Sequence, residues 1–314
     1  MDAIVTRGLT KEYRQLGRRA RRSLDNLSIS IREGEVFGFL GHNGAGKTTT
    51  IKILAGLVKP TAGEAMLFGE STRHPAARRR LGYLPEQPYF YEYLTPRETI
   101  EFYARLRGRS TEERAADWEY LSRLLDLRDI AHQPIKSFSK GMRQRIGFAV
   151  ALVGNPPLLI LDEPMSGLDP VGRRNIRELI LRCRDEGKTL FFSSHVLGDV
   201  EQICDRVSIL SQGKLIREGR IDQLVGSEAY GVEIVARGLD GEGAARAQAL
   251  ADSHRRVDEL HVFTTTSKET GNEIVRLILE RGAELAEYTP LKESLEAYFM
   301  REQDAAAARE GGRA

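Results

Sequence analysis

The stretch Gly41-His42-Asn43-Gly44-Ala45-Gly46-Lys47-Thr48-Thr49 fits the pattern G-x-x-x-x-G-K-[ST] of a loop that cradles phosphates. Its glycines let backbone N–H groups turn toward an anion, and the helix expected after the loop adds the positive end of its dipole. Lys47 is expected to reach the β- and γ-phosphates of a nucleoside triphosphate, and the Thr48 hydroxyl to ligate Mg²⁺. Far downstream, the apolar run Leu158-Leu159-Ile160-Leu161 ends in Asp162-Glu163-Pro164. Asp162 stands at the C-terminal edge of a buried strand, where parallel sheets bind ligands, placed for Mg²⁺ directly or through water. Glu163 cannot usefully hold the same ion. Its expected role is to orient and polarise an attacking water, a contribution of about 10²–10⁴ in rate. Taken singly, the loop could be a chance glycine turn and the acid pair a helix cap. Together they argue for phosphoryl chemistry on a bound nucleotide.

These groups need a frame. Val36-Phe37-Gly38-Phe39-Leu40 reads as a buried strand before the loop, and Thr49 to Leu57 as a helix closing at Gly56. Ala3 to Arg7 and Leu27 to Ile31 alternate as strands of an antiparallel layer, which Ala65 to Gly69 joins as a short strand. Leu81 to Leu84 and Thr189 to Ser194 read as further core strands, and Leu158 to Leu161 as one buried on both faces. The helix-start signal Thr95-Pro96-Arg97-Glu98 opens a helical insertion at about 88–155, in which a minority of the rings Tyr89, Phe90, Tyr91, Tyr93, Phe102 and Tyr103 are expected to be exposed. Ser139 is placed to cap a helix over Met142 to Val153. Val171 to Glu186 reads as an amphipathic helix, Val200 to Cys204 as a short one, and Arg206 to Leu210 with Lys214 to Glu218 as a hairpin. The first domain is expected over residues 1–225. A small α+β unit follows at 226–302: strands Gly231 to Ala236, Leu260 to Thr265 and Leu285 to Thr289, and helices Gly243 to Ser253, Lys268 to Arg281 and Leu291 to Met300. A flexible tail is expected at 303–314.

Composition bounds the function. The 314 residues suffice for about two domains. A formal net charge of +2 implies no polyanionic partner, so nucleic acid is not expected. The basic runs Arg18 to Arg22 and Arg78 to Arg80 read as solvated faces. Cys183 and Cys204 have neither metal nor disulfide spacing and are expected as buried thiols in a reducing compartment. Met1 to Arg7 lack the apolar core of a signal peptide, and no stretch approaches the ~18 apolar residues that span a bilayer. The chain is expected to stay on one side of a membrane while being free to sit against a protein that crosses it.

Over nearly all of residues 1–225 the sequence resembles the ATP-binding-cassette (ABC) ATPases. The resemblance rests on an ordered series: Tyr13, then Gly41 to Thr49, Gln87, Ser139-Lys140-Gly141-Met142, Leu158 to Glu163, Ser166-Gly167-Leu168-Asp169, and His195. It implies an α/β P-loop cassette with an antiparallel β layer and a helical insertion. It also implies that Tyr13 stacks on adenine, that Gln87 offers an amide oxygen to Mg²⁺ or the attacking water, and that His195 contacts the γ-phosphate. Ser139 and Gly141 would hold the phosphate of a nucleotide bound to a second cassette. Phe138-Ser139-Lys140-Gly141-Met142 departs from the family's usual Leu-Ser-Gly-Gly-Gln, keeping the serine and one glycine. One loop and one signature per chain imply a homodimer or paired half around two ATP molecules.

Tyr83-Leu84-Pro85-Glu86-Gln87 and Ser139 to Arg145 resemble the ABC-2-type exporter branch, as does Pro290-Leu291-Lys292-Glu293-Ser294-Leu295-Glu296-Ala297-Tyr298-Phe299 near the end. That branch implies a separate transmembrane permease subunit, a place at the cytoplasmic face of the cell membrane, and an aromatic block from Tyr89 to Tyr103 that receives the permease. The alternatives are a soluble ABC ATPase acting on ribosomes or nucleic acid, and an ATP-binding regulator that barely turns over.

Overall fold

In the computed structural model, residues 1–13, 20–224, 231–291 and 295 are described. The chain divides into two compact units, Met1–Ile221 and Asp222–Asp304.

The first unit begins with the long strands β1 (Asp2–Tyr13) and β2 (Arg21–Arg32), paired antiparallel. β3 (Val36–Gly41) is buried at every residue and delivers the phosphate loop. Helix α1 (Lys47–Leu54) follows at once. It starts two residues earlier than its pattern suggested, because Lys47 and Thr48 are already helical. Gly46 caps it at φ 114, in the region that favours glycine, and a Cβ there would meet Leu24 Cδ2 at 2.7 Å and the Ser23 carbonyl oxygen at 2.8 Å. Then come β4 (Ala62–Leu67), the two-residue β5 (Glu70–Ser71), a 3₁₀ segment at Pro75–Arg80, and β6 (Leu81–Leu84).

The helical insertion holds α2 (Pro96–Leu106), α3 (Thr111–Leu124) and α4 (Lys140–Leu152). Thr95 and Glu98 form a reciprocal capping box on α2, as their spacing suggests, and Ser110 and Glu113 form a second on α3. Ser139 caps α4 by accepting from the Met142 N–H at 3.3 Å. The chain then returns to the sheet through β7 (Leu158–Leu161), α5 (Pro170–Asp185), β8 (Thr189–Ser194), α6 (Leu197–Ile203), β9 (Arg206–Ser211) and β10 (Lys214–Arg220); the short α7 (Ile221–Leu224) begins on the last residue of this unit.

Two sheets result. One has the order β2-β1-β4-β5 and is antiparallel; the other has the order β10-β9-β3-β8-β7-β6. In the second, β9, β3, β8, β7 and β6 run parallel, and β10 closes the edge as the antiparallel arm of the hairpin. β7 and β8 are buried throughout, as strands covered on both faces must be. Phe37, Phe39, Phe191, Ile51, Leu54 and Ile160 meet in the core beneath the loop. The expected α/β cassette with an antiparallel layer is therefore present.

The second unit runs β11 (Gly231–Arg237), α8 (Gly241–Leu250), β12 (Ser253–Val257), β13 (Leu260–Thr265), α9 (Lys268–Glu280) and β14 (Glu284–Leu291), with antiparallel order β12-β13-β11-β14. This is a split β-α-β arrangement. Val232, Ile234, Phe263, Ile274 and Ile278 form its core. Helix α8 ends at Leu250 rather than Ser253, because Ser253 opens β12, a strand the pattern missed. Leu291 belongs to β14 rather than to the expected last helix. The rest of that helix, apart from the helical Leu295, and the expected tail lie outside the described residues. Cys183 and Cys204 sit in the first unit, unbonded; burial pushes the Cys183 thiol up to about 12 and the Cys204 thiol well above its ordinary value.

Candidate nucleotide site

A cleft of about 890 Å³ opens over the phosphate loop. The loop contributes His42, Asn43, Gly44, Gly46, Lys47, Thr48 and Thr49 to its wall. Gly41 ends β3, and Ala45 lies buried beneath the loop. Tyr13 lies at the end of β1 and lines the same cleft.

Lys47 is buried, and its ammonium donates to the Gly41 carbonyl at 2.6 Å while pairing with Glu163 Oε1 at 3.2 Å. The other oxygen of Glu163 meets His195 Nδ1 at 2.8 Å. One carboxylate thus joins the loop lysine to the histidine that follows β8. Glu163 has φ 48, the left-handed region, which costs a non-glycine residue about 1–3 kcal/mol. Its N–H donates to Ser193 Oγ at 2.9 Å, and that hydroxyl donates on to Asp162 Oδ1 at 2.8 Å. β7 and β8 together therefore fix both acids.

Asp162 is buried below the cleft, with Thr48 Oγ1 donating to its Oδ1 at 3.4 Å. Burial raises its carboxyl pKa; the Ser193 and Thr48 hydroxyls pull it back, and the charges of Glu86 and Glu163 push it up again. Burial, with Asp162 nearby, also pushes the Tyr83 phenol up to about 12. Hydroxyl and carboxylate oxygens of this kind suit a hard divalent cation such as Mg²⁺.

Four residues of the wall carried no expectation of a cleft role: Arg21, Ser23, Glu86 and Ser166. Gln87, in contrast, does not line the cleft; its neighbour Glu86, exposed as Gln87 is, does. The reason is local. β6 ends at Leu84, whose carbonyl accepts the Asp162 N–H at 2.8 Å, and Glu86 is the nearer residue to that anchor. Ser23 Oγ and Thr49 Oγ1 share a hydrogen bond of 2.9 Å, which ties β2 to α1.

Ser139 and Gly141 do not line this cleft. They border a separate groove with Leu168, Asp169, Val171 and Asn175. Gln144 Nε2 on the same helix donates to the Pro164 carbonyl at 2.9 Å, so α4 is fastened just beyond Glu163.

Comparison with known proteins agrees with this geometry. Residues 24–166 match the family model described as ABC transporter. An uncharacterized ABC transporter ATP-binding protein of Synechocystis is 39% identical over 282 residues, covering 89% of this chain and 78% of that one. The bacitracin transport ATP-binding protein BcrA of Bacillus licheniformis is 35% identical over 312 residues, covering 95% and 96%. Among solved structures, the dimeric post-hydrolysis cassette MJ0796 bound to ADP and Pi superposes with a TM-score of 0.64 at 27% identity, covering 69% of this chain and 98% of that one. The chain therefore belongs to the ABC transporter family, as an ATP-binding, ATP-hydrolysing cassette.

Proposed function

We propose that this cassette is the ATPase subunit of a membrane exporter. It would pair with a second copy of itself around two ATP molecules and drive a separate membrane-spanning subunit from the cytoplasmic face. One observation carries the membrane partner. Tyr89, Tyr91 and Tyr93 stand 86%, 49% and 73% exposed on the segment that leaves Glu86 in the cleft. Three of the six rings in this block are thus exposed, more than the minority expected; Phe90 is buried, and Phe102 stacks edge-on against Tyr91 at 5.6 Å. Exposed tyrosines offer flat, amphipathic contact area of the kind interfaces favour.

The same segment is wired to the signature helix. The Glu92 carbonyl accepts the Lys136 N–H and the Leu94 carbonyl accepts the Ile135 N–H, both at 2.9 Å, while Arg143 on α4 pairs with Glu92 at 3.0 Å. A push at the tyrosines would reach Ser139 through these bonds. No helix among the described residues is long and apolar enough to cross a membrane, so the path would belong to the partner. The match to a bacitracin transport protein over nearly the whole chain favours a drug-export role.

The residues support the following chemistry. In the cleft the loop N–H groups and Lys47 would hold the β- and γ-phosphates. A γ-phosphate would draw the Lys47 ammonium from Glu163 and leave that carboxylate free to take a proton from the attacking water. His195, bonded to the far oxygen of Glu163, would keep it aimed and contact the γ-phosphate. Tyr13 would stack on adenine. Thr48 and Asp162, with Glu86 rather than Gln87, would hold Mg²⁺, which when bound offsets charge on the phosphates. Ser139 and Gly141 would complete the cleft of the second copy.

The test is a pull-down. Glu163→Gln, expected to bind ATP and stay closed, is purified from detergent-solubilised membranes with ATP and Mg²⁺. A stoichiometric multi-span membrane protein is the expected companion. Recovery only with ribosomal or nucleic-acid-bound proteins contradicts the exporter reading.

A further inference from the structure

Arg21 and Arg22 are neighbours on β2, so their side chains leave opposite faces of the strand. Arg22 is fully engaged: it bonds Glu12 at 2.9 Å and Asp25 at 3.0 Å. The Arg21 side chain makes no hydrogen bond or ion pair among the described residues. It lines the nucleotide cleft, and so does Tyr13, its partner directly across the antiparallel ladder. Ser23, two residues along, lines it too. The Arg21 side chain reaches the loop itself: Nη2 lies 3.6 Å from the point a Cβ would occupy on Gly44.

The position of the guanidinium decides what it can bind. It stands beside the phosphate loop at Gly44, not over the Tyr13 ring, where Lys11 Nζ sits 5.0 Å from the centroid. The other cation of the loop, Lys47, is held by Glu163 and the Gly41 carbonyl. Glu86 and Glu163 line the wall and Asp162 lies beneath, so carboxylates face a polyphosphate here. An unengaged guanidinium, whose planar fork matches two phosphate oxygens at once, supplies the countercharge.

We propose that Arg21 binds the phosphate chain of the nucleotide and clamps it against the loop at Gly44. This rests on the cleft being the ATP site. Lys47, Glu163 and His195 form one bonded group suited to the γ-phosphate. Arg21 stands apart from it, in register with Tyr13 and beside the Ser23–Thr49 bond. Its ligand is therefore the part of the chain that ATP and ADP share. The basic run that reads in sequence as a solvated face thus contains one residue that serves the site.

The experiment is titration calorimetry of the full chain with ATP, ADP and adenosine, for the wild type, Arg21→Ala, Arg21→Lys and Arg22→Ala. Circular dichroism and thermal melts check that each variant is folded. Losing a charge-assisted bond to phosphate weakens binding about tenfold or more. Arg21→Ala is expected to lose that factor for ATP and ADP equally and nothing for adenosine, with a shallower salt dependence. Arg21→Lys recovers part of the loss, and Arg22→Ala binds as the wild type does. ATP and ADP affinities unchanged in a folded Arg21→Ala overturn the assignment, as does an equal loss for adenosine. A wild-type chain that binds no nucleotide overturns the cleft reading and this inference with it.

Discussion

Glu163 sits between two groups that a nucleotide would claim. Its oxygens are 3.2 Å from Lys47 and 2.8 Å from His195, and its backbone is held in a strained conformation by Ser193. Glu163→Gln keeps shape and hydrogen bonding but cannot accept a proton. We expect it to lower ATP turnover by about 10²–10⁴ with ATP affinity retained, measured by phosphate release and calorimetry. Glu86 and Gln87 give a second comparison. Glu86 lines the cleft and acts on Asp162 by its charge, whereas Gln87 does not line it. Glu86→Ala is expected to raise the Mg²⁺ concentration needed for half-maximal turnover several-fold, while Gln87→Ala leaves it unchanged; the reverse order would place the metal ligand at Gln87. The loop, Asp162, Glu163 and His195 were legible in sequence because each follows a strand of the parallel sheet and so points to one edge. Glu86 was not, because one residue of offset after β6 depends on the Leu84–Asp162 bond. Arg21 was not, because no motif marks it and only its pairing with Tyr13 across the ladder brings it to the cleft.

The elements that carry these residues tolerate little added volume. α4 bears Ser139 at its start and packs against β6, which leads to Glu86. A Cβ on Gly82 would stand 2.1 Å from the Ala151 carbonyl oxygen and 2.6 Å from Leu159 Cδ2. Gly82→Ala is expected to destabilise the chain by about 2 kcal/mol or more, seen as a lowered denaturation midpoint, because a backbone atom cannot yield as a flexible side chain would. In the second unit, His254 Nε2 and His261 Nδ1 lie 3.0 Å apart on β12 and β13. Burial first, then the charges of His254 and Arg256, hold the His261 imidazolium below its ordinary 6.5. The unfolded chain therefore takes up a proton that the folded one refuses. Stability is full above 6.5 and falls as pH drops through 6.5 toward the folded value. Thermal melts between pH 7.5 and 5.5 are expected to show this slope, and His261→Phe to flatten it. Strands with apolar alternation, such as β11 and β13, could be read from sequence. β12 could not, since Ser253-His254-Arg255-Arg256-Val257 is a largely exposed edge strand with no buried face to mark it.

For the whole molecule, the position of the signature matters most. Ser139 and Gly141 border a groove distinct from the ATP cleft, beside Leu168 and Asp169. In the proposed function a single chain would therefore present half of each phosphate cage; MJ0796, to which it is similar, is a dimer in its ADP- and Pi-bound form. The central claim is that two copies close around ATP and that turnover opens them. The direct measurement is the solution mass of Glu163→Gln by light scattering, with and without ATP. The account predicts a monomer without nucleotide and a dimer with ATP, which Ser139→Glu abolishes by setting a negative charge against the partner's phosphate. A Glu163→Gln chain that binds ATP tightly and stays monomeric at saturation would contradict it.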